Sequence, residues 1–307
     1  MLKKTVLIGL GNIGFNFDQN EKLILTHSKS ISKNKNLKLI YGVDKSPKQR
    51  KIFEKKYSIP TLSKLVKDKL LEDAYFFVIS TPNHTHLRLI RKILSFQKLK
   101  YILLEKPGGS NFKDFQKILT LCKKRKINLF INYQRLYDKN YSKISRLLKK
   151  MKKFTGVATY SRGLENNCSH ILSFLNSFNL KKIRITILKR GKNPDFLIKF
   201  KRGNVYFFNN PRDNISNNEF EIIGDNFKIR TKDEINTFEI FKIKKERFIK
   251  NNYIFSNKGK IIKFDKNNSQ KNVLDNIFNK NNRKNISNII EISYDTFKVI
   301  SKIKSML

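Results

Sequence analysis

Cysteine is scarce in this chain of 307 residues. Cys122 and Cys168 are too few for a disulfide framework and lack zinc-ligand spacing, so a reducing, cytoplasmic setting is expected. No run reaches the roughly 18 apolar residues that a membrane-spanning helix needs. The N-terminus imitates a secretory signal only superficially. Lys3-Lys4 precede an apolar run, but Asn12 cuts it short and no A-x-A-like cleavage site follows, so the stretch is expected to be the first strand. Carboxylates are also sparse: 24 Asp and Glu face 66 Lys and Arg, for a net charge of +42. That balance raises nucleic acid or an anionic membrane as partner. The cations, however, are spread over the whole chain among abundant Asn, Ile and Phe, as A/T-rich codons would produce. The denser stretches, 149–153 and 242–250, read as solvated faces. No specific nucleic-acid partner and no membrane span are therefore expected. Internal repeats and long low-complexity linkers are absent as well.

What is present begins with Thr5-Val6-Leu7-Ile8-Gly9-Leu10-Gly11-Asn12-Ile13-Gly14. An apolar, β-rich run feeds directly into G-x-G-x-x-G. Gly9 permits the tight turn, Gly11 lets backbone approach a pyrophosphate, and Gly14 lets the next helix pack closely. N–H groups at that helix's start then face phosphates. The length suggests two domains.

Along the chain, strands and helices alternate. A polar insertion at 15–20 precedes a helical stretch over 23–32. His27 lies in that stretch and reads as a packing or capping residue. The strand 37–43 ends at Asp44, the expected place for a carboxylate that accepts ribose hydroxyls and repels a 2′-phosphate. Lys45 and Arg50 follow and soften that preference. Helix 47–57, a short strand near 59–60 and helix 63–71 come next. The strand 74–80 is apolar without alternation, as strands covered on both faces are, and it stops at Thr81-Pro82-Asn83-His84-Thr85-His86. Ligands bind outside the carboxyl ends of such strands. No carboxylate or cysteine joins His84 and His86, so no metal is expected. Helix 87–96 and strand 101–104 lead to Glu105-Lys106-Pro107-Gly108-Gly109. The proline holds Lys106 extended, which aims an ammonium at the strand end; a solvated turn lysine is the other reading. Helix 111–124, strand 129–132 and Tyr133-Gln134-Arg135 complete the series. Later strands are expected over 156–160, 182–188, 196–200, 204–208, 219–223 and 227–230, several with antiparallel-style alternation. Helices near 271–279 and 284–303 end the chain.

G-L-G-N-I-G, Asp44, S-T-P-N-H-T-H, E-K-P-G-G and N-Y-Q-R, in this order, resemble the glucose-fructose oxidoreductase and inositol dehydrogenase (Gfo/Idh/MocA) family. The resemblance is strong to about residue 145. It implies an α/β chain with an N-terminal Rossmann domain, a doubly wound parallel sheet over 1–125. A C-terminal α/β domain over 126–307 would follow, with an open, mostly antiparallel sheet and terminal helices. That second domain would carry substrate contacts and join a homo-oligomer through its sheet.

The resemblance further implies an NAD(P)-dependent oxidoreductase that transfers a hydride between nicotinamide and a secondary hydroxyl of a sugar, sugar acid or nucleotide sugar. NAD is the expected cofactor, with NADP possible. Cofactor contacts would come from Gly9, Gly11, Asn12, Ile13, Gly14, Asp44, Thr81, Pro82, Asn83 and Glu105. Substrate contacts would come from Asn132, Arg135 and Asn166, with the Arg135 guanidinium clamping an anionic group. Lys106 would hydrogen-bond the reacting oxygen and His170 would take its proton, a task that suits an imidazole near neutrality. A packing histidine is the other reading of His170. Asn166 and Ser173 stand where family members often carry aspartates, so a nucleotide-binding member without turnover is the alternative function. A nucleic-acid-binding protein, suggested by charge alone, is the third. Cys168 reads as a small filler, since no activating partner is evident.

Overall fold

Short apolar runs alternating with amphipathic stretches build a parallel sheet whose helices cover both faces. The computed structural model describes residues 2–66, 69–176, 182–212, 214–279 and 283–307. The chain divides into two units: Met1–Tyr137 with Lys266–Ser293, and Asp138–Asp265 with Tyr294–Leu307.

The first unit contains, in order, β1 (Lys3–Ile8), α1 (His27–Lys33), β2 (Leu37–Val43), α2 (Pro47–Tyr57), β3 (Thr61–Leu62) and α3 (Lys69–Glu72). It continues with β4 (Phe76–Ile79), α4 (His86–Ile93), β5 (Tyr101–Leu104), α5 (Phe112–Lys124) and β6 (Asn128–Ile131). The six strands are all parallel, in the order β3-β2-β1-β4-β5-β6. This is the expected doubly wound arrangement. Its strand order reverses between β1 and β4, which opens a crevice at their carboxyl ends. Val6, Leu7, the whole of β4 and Ile102 to Leu104 are sealed from solvent.

Local chemistry sets the element ends. Ser46 caps α2 by accepting Gln49 N, with Pro47 at the first helical position, and Asn111 caps α5 by accepting Asp114 N. The helix expected over 23–32 begins only at His27. Its N-cap is Thr26, whose hydroxyl accepts Lys29 N. The preceding insertion is pinned by Asp18, which is buried and accepts Leu25 N at 2.7 Å, Thr26 N at 2.9 Å and the Thr26 hydroxyl at 2.7 Å. The short third strand lies at Thr61–Leu62 rather than 59–60, because Pro60 has no N–H to pair. Of the helix expected over 63–71, α3 supplies Lys69 onward, residues 63–66 are not helical, and residues 67–68 lie outside the described residues. The boundary drawn at 125 falls before β6, whereas β6 pairs with β5 and the unit runs on to Tyr137.

The second unit contains α6 (Tyr141–Lys150), β7 (Phe154–Tyr160), α7 (Ser169–Asn176), β8 (Lys182–Lys189), β9 (Asp195–Phe200), β10 (Gly203–Asn209) and β11 (Glu219–Gly224). β12 (Phe227–Lys232), β13 (Thr237–Lys245), β14 (Tyr253–Phe255) and β15 (Lys260–Lys263) follow. They form a nine-stranded sheet in the order β14-β13-β12-β11-β7-β10-β9-β8, with β15 on β13. Every pairing is antiparallel except β10 with β7. The mostly antiparallel sheet is as expected; α6 and β13 to β15 were not anticipated.

Two helices end the chain, α8 (Ser269–Phe278) and α9 (Arg283–Lys304). α8 belongs to the first unit. Ile24 N donates to Asn267 O at 2.8 Å, and the Ser30 hydroxyl donates to Gln270 O at 2.8 Å.

Candidate functional site

The residues that follow β1, β2, β4, β5 and β6 collect at one edge of the parallel sheet. After Ile8 the chain turns at Gly9, whose φ is +96° and whose missing Cβ would sit 2.7 Å from Ser80 O. The Ser80 hydroxyl donates to Gly9 O at 2.8 Å and ties the turn to β4. A single turn of π-helix, Asn12–Asn16, follows the glycine turn. Phe15 N closes it by donating to Gly11 O at 2.8 Å. The Asn12 and Ile13 N–H groups precede that first bond, as at any helix start. At Gly14 a Cβ would lie 2.1 Å from Gly9 O, whereas at Gly11 it would meet nothing within 4 Å. Gly14 is thus required by the fold itself. Gly11 instead leaves space beside a row of N–H groups.

Asp44, at the end of β2, accepts Leu10 N on Oδ2 at 2.7 Å and Ser46 N on Oδ1 at 2.8 Å. The carboxylate therefore holds the glycine turn against β2. Arg50, expected to soften the preference set by this carboxylate, is turned toward backbone. Its Nη1 donates to the backbone carbonyls of Asp44 and Lys45 at 2.8 and 3.0 Å. A cavity of about 430 Å³ opens beside Asp44, with Lys45, Lys64, Thr81, Pro82 and Arg88 in its wall. Asn83 begins the short 3-10 turn that leads into α4. His86 is buried and donates Nε2–H to Thr81 O at 2.9 Å. Burial pushes its pKa down against that hydrogen bond, so it holds the Thr81 loop as a neutral ring. Among the described residues, no three His, Cys, Asp or Glu gather as metal ligands.

Glu105 ends β5. Its Oε1 accepts His27 Nε2–H at 2.8 Å and Asn132 Nδ2–H at 2.5 Å. Burial works against its ionisation. The His27 hydrogen bond and charge, the Asn132 amide and the Lys106 ammonium outweigh that effect and hold the carboxyl below its usual range. Asn132 Nδ2 also donates to Gln270 Oε1 at 3.2 Å, and Gln270 Nε2 donates to Gln134 Oε1 at 3.2 Å. Asn132 Oδ1 is buried and has no hydrogen-bond partner among the described residues, which leaves an acceptor unmet next to Glu105. Lys106, half-buried, follows Glu105 and precedes the cis peptide to Pro107. Arg135, also half-buried, lies in the 3-10 turn Gln134–Tyr137. The sequence had offered no sign that His27 reaches Glu105. Nor had it pointed to Gln270, which lies 138 residues beyond Asn132.

The remaining expected residues belong to the second unit. Asn166 is exposed in a π-helical turn, Leu164–Cys168, and His170 is half-buried in the first turn of α7. Ser173 donates its hydroxyl to His170 O at 2.7 Å, a bond to backbone that orients no imidazole. Cys168 is buried and its thiol pKa is raised by that burial, as befits a core filler.

An open glycine turn, a carboxylate at the second strand's end and an adjoining cavity fit a dinucleotide. Residues 3–133 match the model described as an oxidoreductase family with an NAD-binding Rossmann fold, GFO_IDH_MocA. Over these residues the chain is similar to the Gfo/Idh/MocA family. A sequence search of curated proteins finds no match. Solved structures of similar fold include a dehydrogenase, MviM, from Clostridium difficile, at 15% identity and TM-score 0.70, over 98% of this chain and 99% of that one. Another is UDP-N-acetylglucosamine 3-dehydrogenase GnnA from Acidithiobacillus ferrooxidans, at 12% identity and TM-score 0.70, over 97% and 95%. A third is the WlbA dehydrogenase from Chromobacterium violaceum, in complex with NADH and UDP-GlcNAcA, at 15% identity and TM-score 0.62, over 80% and 79%. The description of the matched model gives NAD as the cofactor of the Rossmann unit.

Proposed function

We propose that this chain is an NAD-dependent dehydrogenase acting on a secondary hydroxyl of a sugar, sugar acid or nucleotide sugar. The observation that carries this reading is the placement of Lys106 directly after Glu105, whose carboxylate is anchored by His27 and Asn132 at the carboxyl edge of the sheet that bears the glycine turn. NAD, when bound, supplies hydride acceptance. Asn12, Ile13 and the space at Gly11 receive the pyrophosphate, Asp44 the adenosine ribose, and Thr81, Pro82 and Asn83 the cofactor's flank. Glu105 acts on the nicotinamide side through the same anchored carboxylate. Lys106 hydrogen-bonds the reacting oxygen and favours its developing negative charge. His170 takes the hydroxyl proton. Arg135 pairs with an anionic group of the substrate, the unmet acceptor of Asn132 receives a hydroxyl or amide, and Asn166 adds a polar contact.

The nucleotide-sugar class draws support from GnnA and WlbA, whose names and ligands are of that kind. A cytoplasmic setting accords with Cys122 and Cys168 both being free thiols. Homo-oligomerisation through the second unit's sheet accords with its exposed apolar residues Val157, Phe208 and Ile223. Among the described residues, no helix is long and apolar enough to cross a membrane.

The test follows reduced-nicotinamide absorbance across a panel of sugars, sugar acids and UDP-sugars. Lys106→Ala is expected to leave NADH affinity nearly unchanged and to lower turnover by about 10²-fold or more. His170→Ala is expected to lower turnover about 10²- to 10⁴-fold and to remove a pH-rate inflection. A second reading, a nucleotide-binding member without turnover, is favoured by Ser173, whose hydroxyl is engaged by backbone where relatives often place a carboxylate. NADH binding without turnover of any substrate in the panel would establish it.

A further inference from the structure

One cation-rich stretch, 242–260, is not an undifferentiated solvated face. β13 and β14 pair antiparallel, Ile243 with Phe255, Lys244 with Ile254 and Lys245 with Tyr253, and form a hairpin whose tip spans 246–252. The tip is held by its own hydrogen bonds. Glu246 N donates to Asn252 O at 2.8 Å, and Asn252 N donates to Ile249 O at 3.2 Å. Glu246 Oε1 accepts Arg247 N at 2.7 Å and Phe248 N at 3.4 Å. This scaffold holds apolar side chains outward: Phe248 is 86% exposed, Ile249 59% and Tyr253 63%. Between Lys242 and Lys260 the chain carries seven Lys and Arg and one carboxylate, Glu246. That carboxylate is turned back onto the N–H groups of its own turn.

An apolar apex set above a collar of cations matches one kind of surface. A second copy of the chain would bring an equal positive charge against the first. A single-stranded nucleic acid would want aromatic faces laid along a groove, whereas the apex here is convex and half aliphatic. An anionic bilayer satisfies both features. Phe and Ile enter the interfacial region, Tyr sits at headgroup level with its hydroxyl wet, and Lys and Arg extend their stems along the apolar surface to reach phosphates. We propose that the 242–258 hairpin docks this protein onto an anionic lipid surface, with Phe248 and Ile249 entering the interface.

The chain has no tryptophan, so Phe248→Trp places a single indole at the apex of the full-length protein. With vesicles of phosphatidylcholine and phosphatidylglycerol at physiological salt, its emission is expected to shift to the blue and to be quenched by brominated lipid. Vesicles of phosphatidylcholine alone should leave it unchanged. The double variant Phe248→Ser/Ile249→Ser, with a far-ultraviolet dichroism spectrum like the parent's, is expected to bind the anionic vesicles about tenfold or more weakly. Lys113→Glu/Lys117→Glu on α5 should change binding by less than about twofold, within what scattered surface charge contributes. An indole emission insensitive to anionic vesicles overturns the proposal. So does undiminished binding by the double variant, which would reduce the interaction to adsorption by net charge. An emission shift produced by single-stranded DNA and not by lipid would assign the hairpin to nucleic acid instead.

Discussion

His27 and Glu105, 78 residues apart, meet at 2.8 Å with the histidine side chain 1% exposed and the glutamate 15%. Removing the donor of a buried hydrogen bond to a carboxylate is far more damaging than never having had the pair, since the carboxylate is left short of a partner. His27→Leu is therefore expected to reduce the unfolding free energy by about 3 kcal/mol, read from urea midpoints. His27→Gln, which keeps an N–H donor, should lose less than half of that.

The same pair sets a pH dependence. The Glu105 carboxyl is held below its usual range in the folded protein. Its ionised form thus stabilises the fold above the unfolded-state value, and that contribution is lost as pH falls through the lowered folded value. Glu105→Gln should flatten the acid limb of the stability curve while leaving the alkaline limb as it was. Parallel acid limbs for parent and variant would show that the carboxylate is not ionised in the fold.

Two glycines of one turn separate folding from binding. Gly14→Ala drives a Cβ onto Gly9 O and is expected to lower the melting temperature by several degrees or prevent folding. Gly11→Ala meets nothing within 4 Å, so the melting temperature should hold while NADH affinity, followed by nicotinamide fluorescence, falls by about tenfold or more. Loss of stability in Gly11→Ala would place that residue in the fold rather than in the cradle.

Asp44 is expected to make NADH bind about tenfold or more tightly than NADPH, equivalent to about 1.4 kcal/mol by calorimetry. Arg50 is engaged by carbonyls, so Arg50→Ala should not change that ratio. Lys45 and Lys64 in the cavity wall are the cations whose removal would widen it.

Cys122 is buried with its thiol pKa pushed up to about 12, and burial also pushes the Cys168 thiol well above its usual value. Both should react with an aromatic disulfide reagent orders of magnitude more slowly in the native protein than in guanidinium. Rapid reaction of one thiol at neutral pH would show that its surroundings open.

The first sheet was legible because its signals are local. A glycine at positive φ, apolar runs without alternation and a carboxylate at a strand's end depend on near neighbours in sequence. β2, α2 and β5 accordingly fall at Leu37–Val43, Pro47–Tyr57 and Tyr101–Leu104 as expected. What escaped notice depends on distant partners or on charge masking a period. β13 alternates as Thr237-Phe238-Glu239-Ile240, yet the lysines that follow hide its continuation, and β14 is only three residues long. The Glu105 anchor escaped for another reason: α1 supplies His27, and Asn132 at the end of β6 is itself held by Gln270 of α8, and no spacing rule links them.

The return of α8 to the first unit has a consequence for how the protein is made. Translation delivers residues 1–137 long before Gln270, so the nascent Rossmann sheet waits with Ile24, Ser30 and Asn132 unpaired toward a helix that does not yet exist. Any fragment cut between the units inherits that vacancy permanently. A minimal cofactor-binding piece must therefore splice 266–293 back onto 1–137, and a stop codon after Tyr137 should yield a chain that chaperones retain.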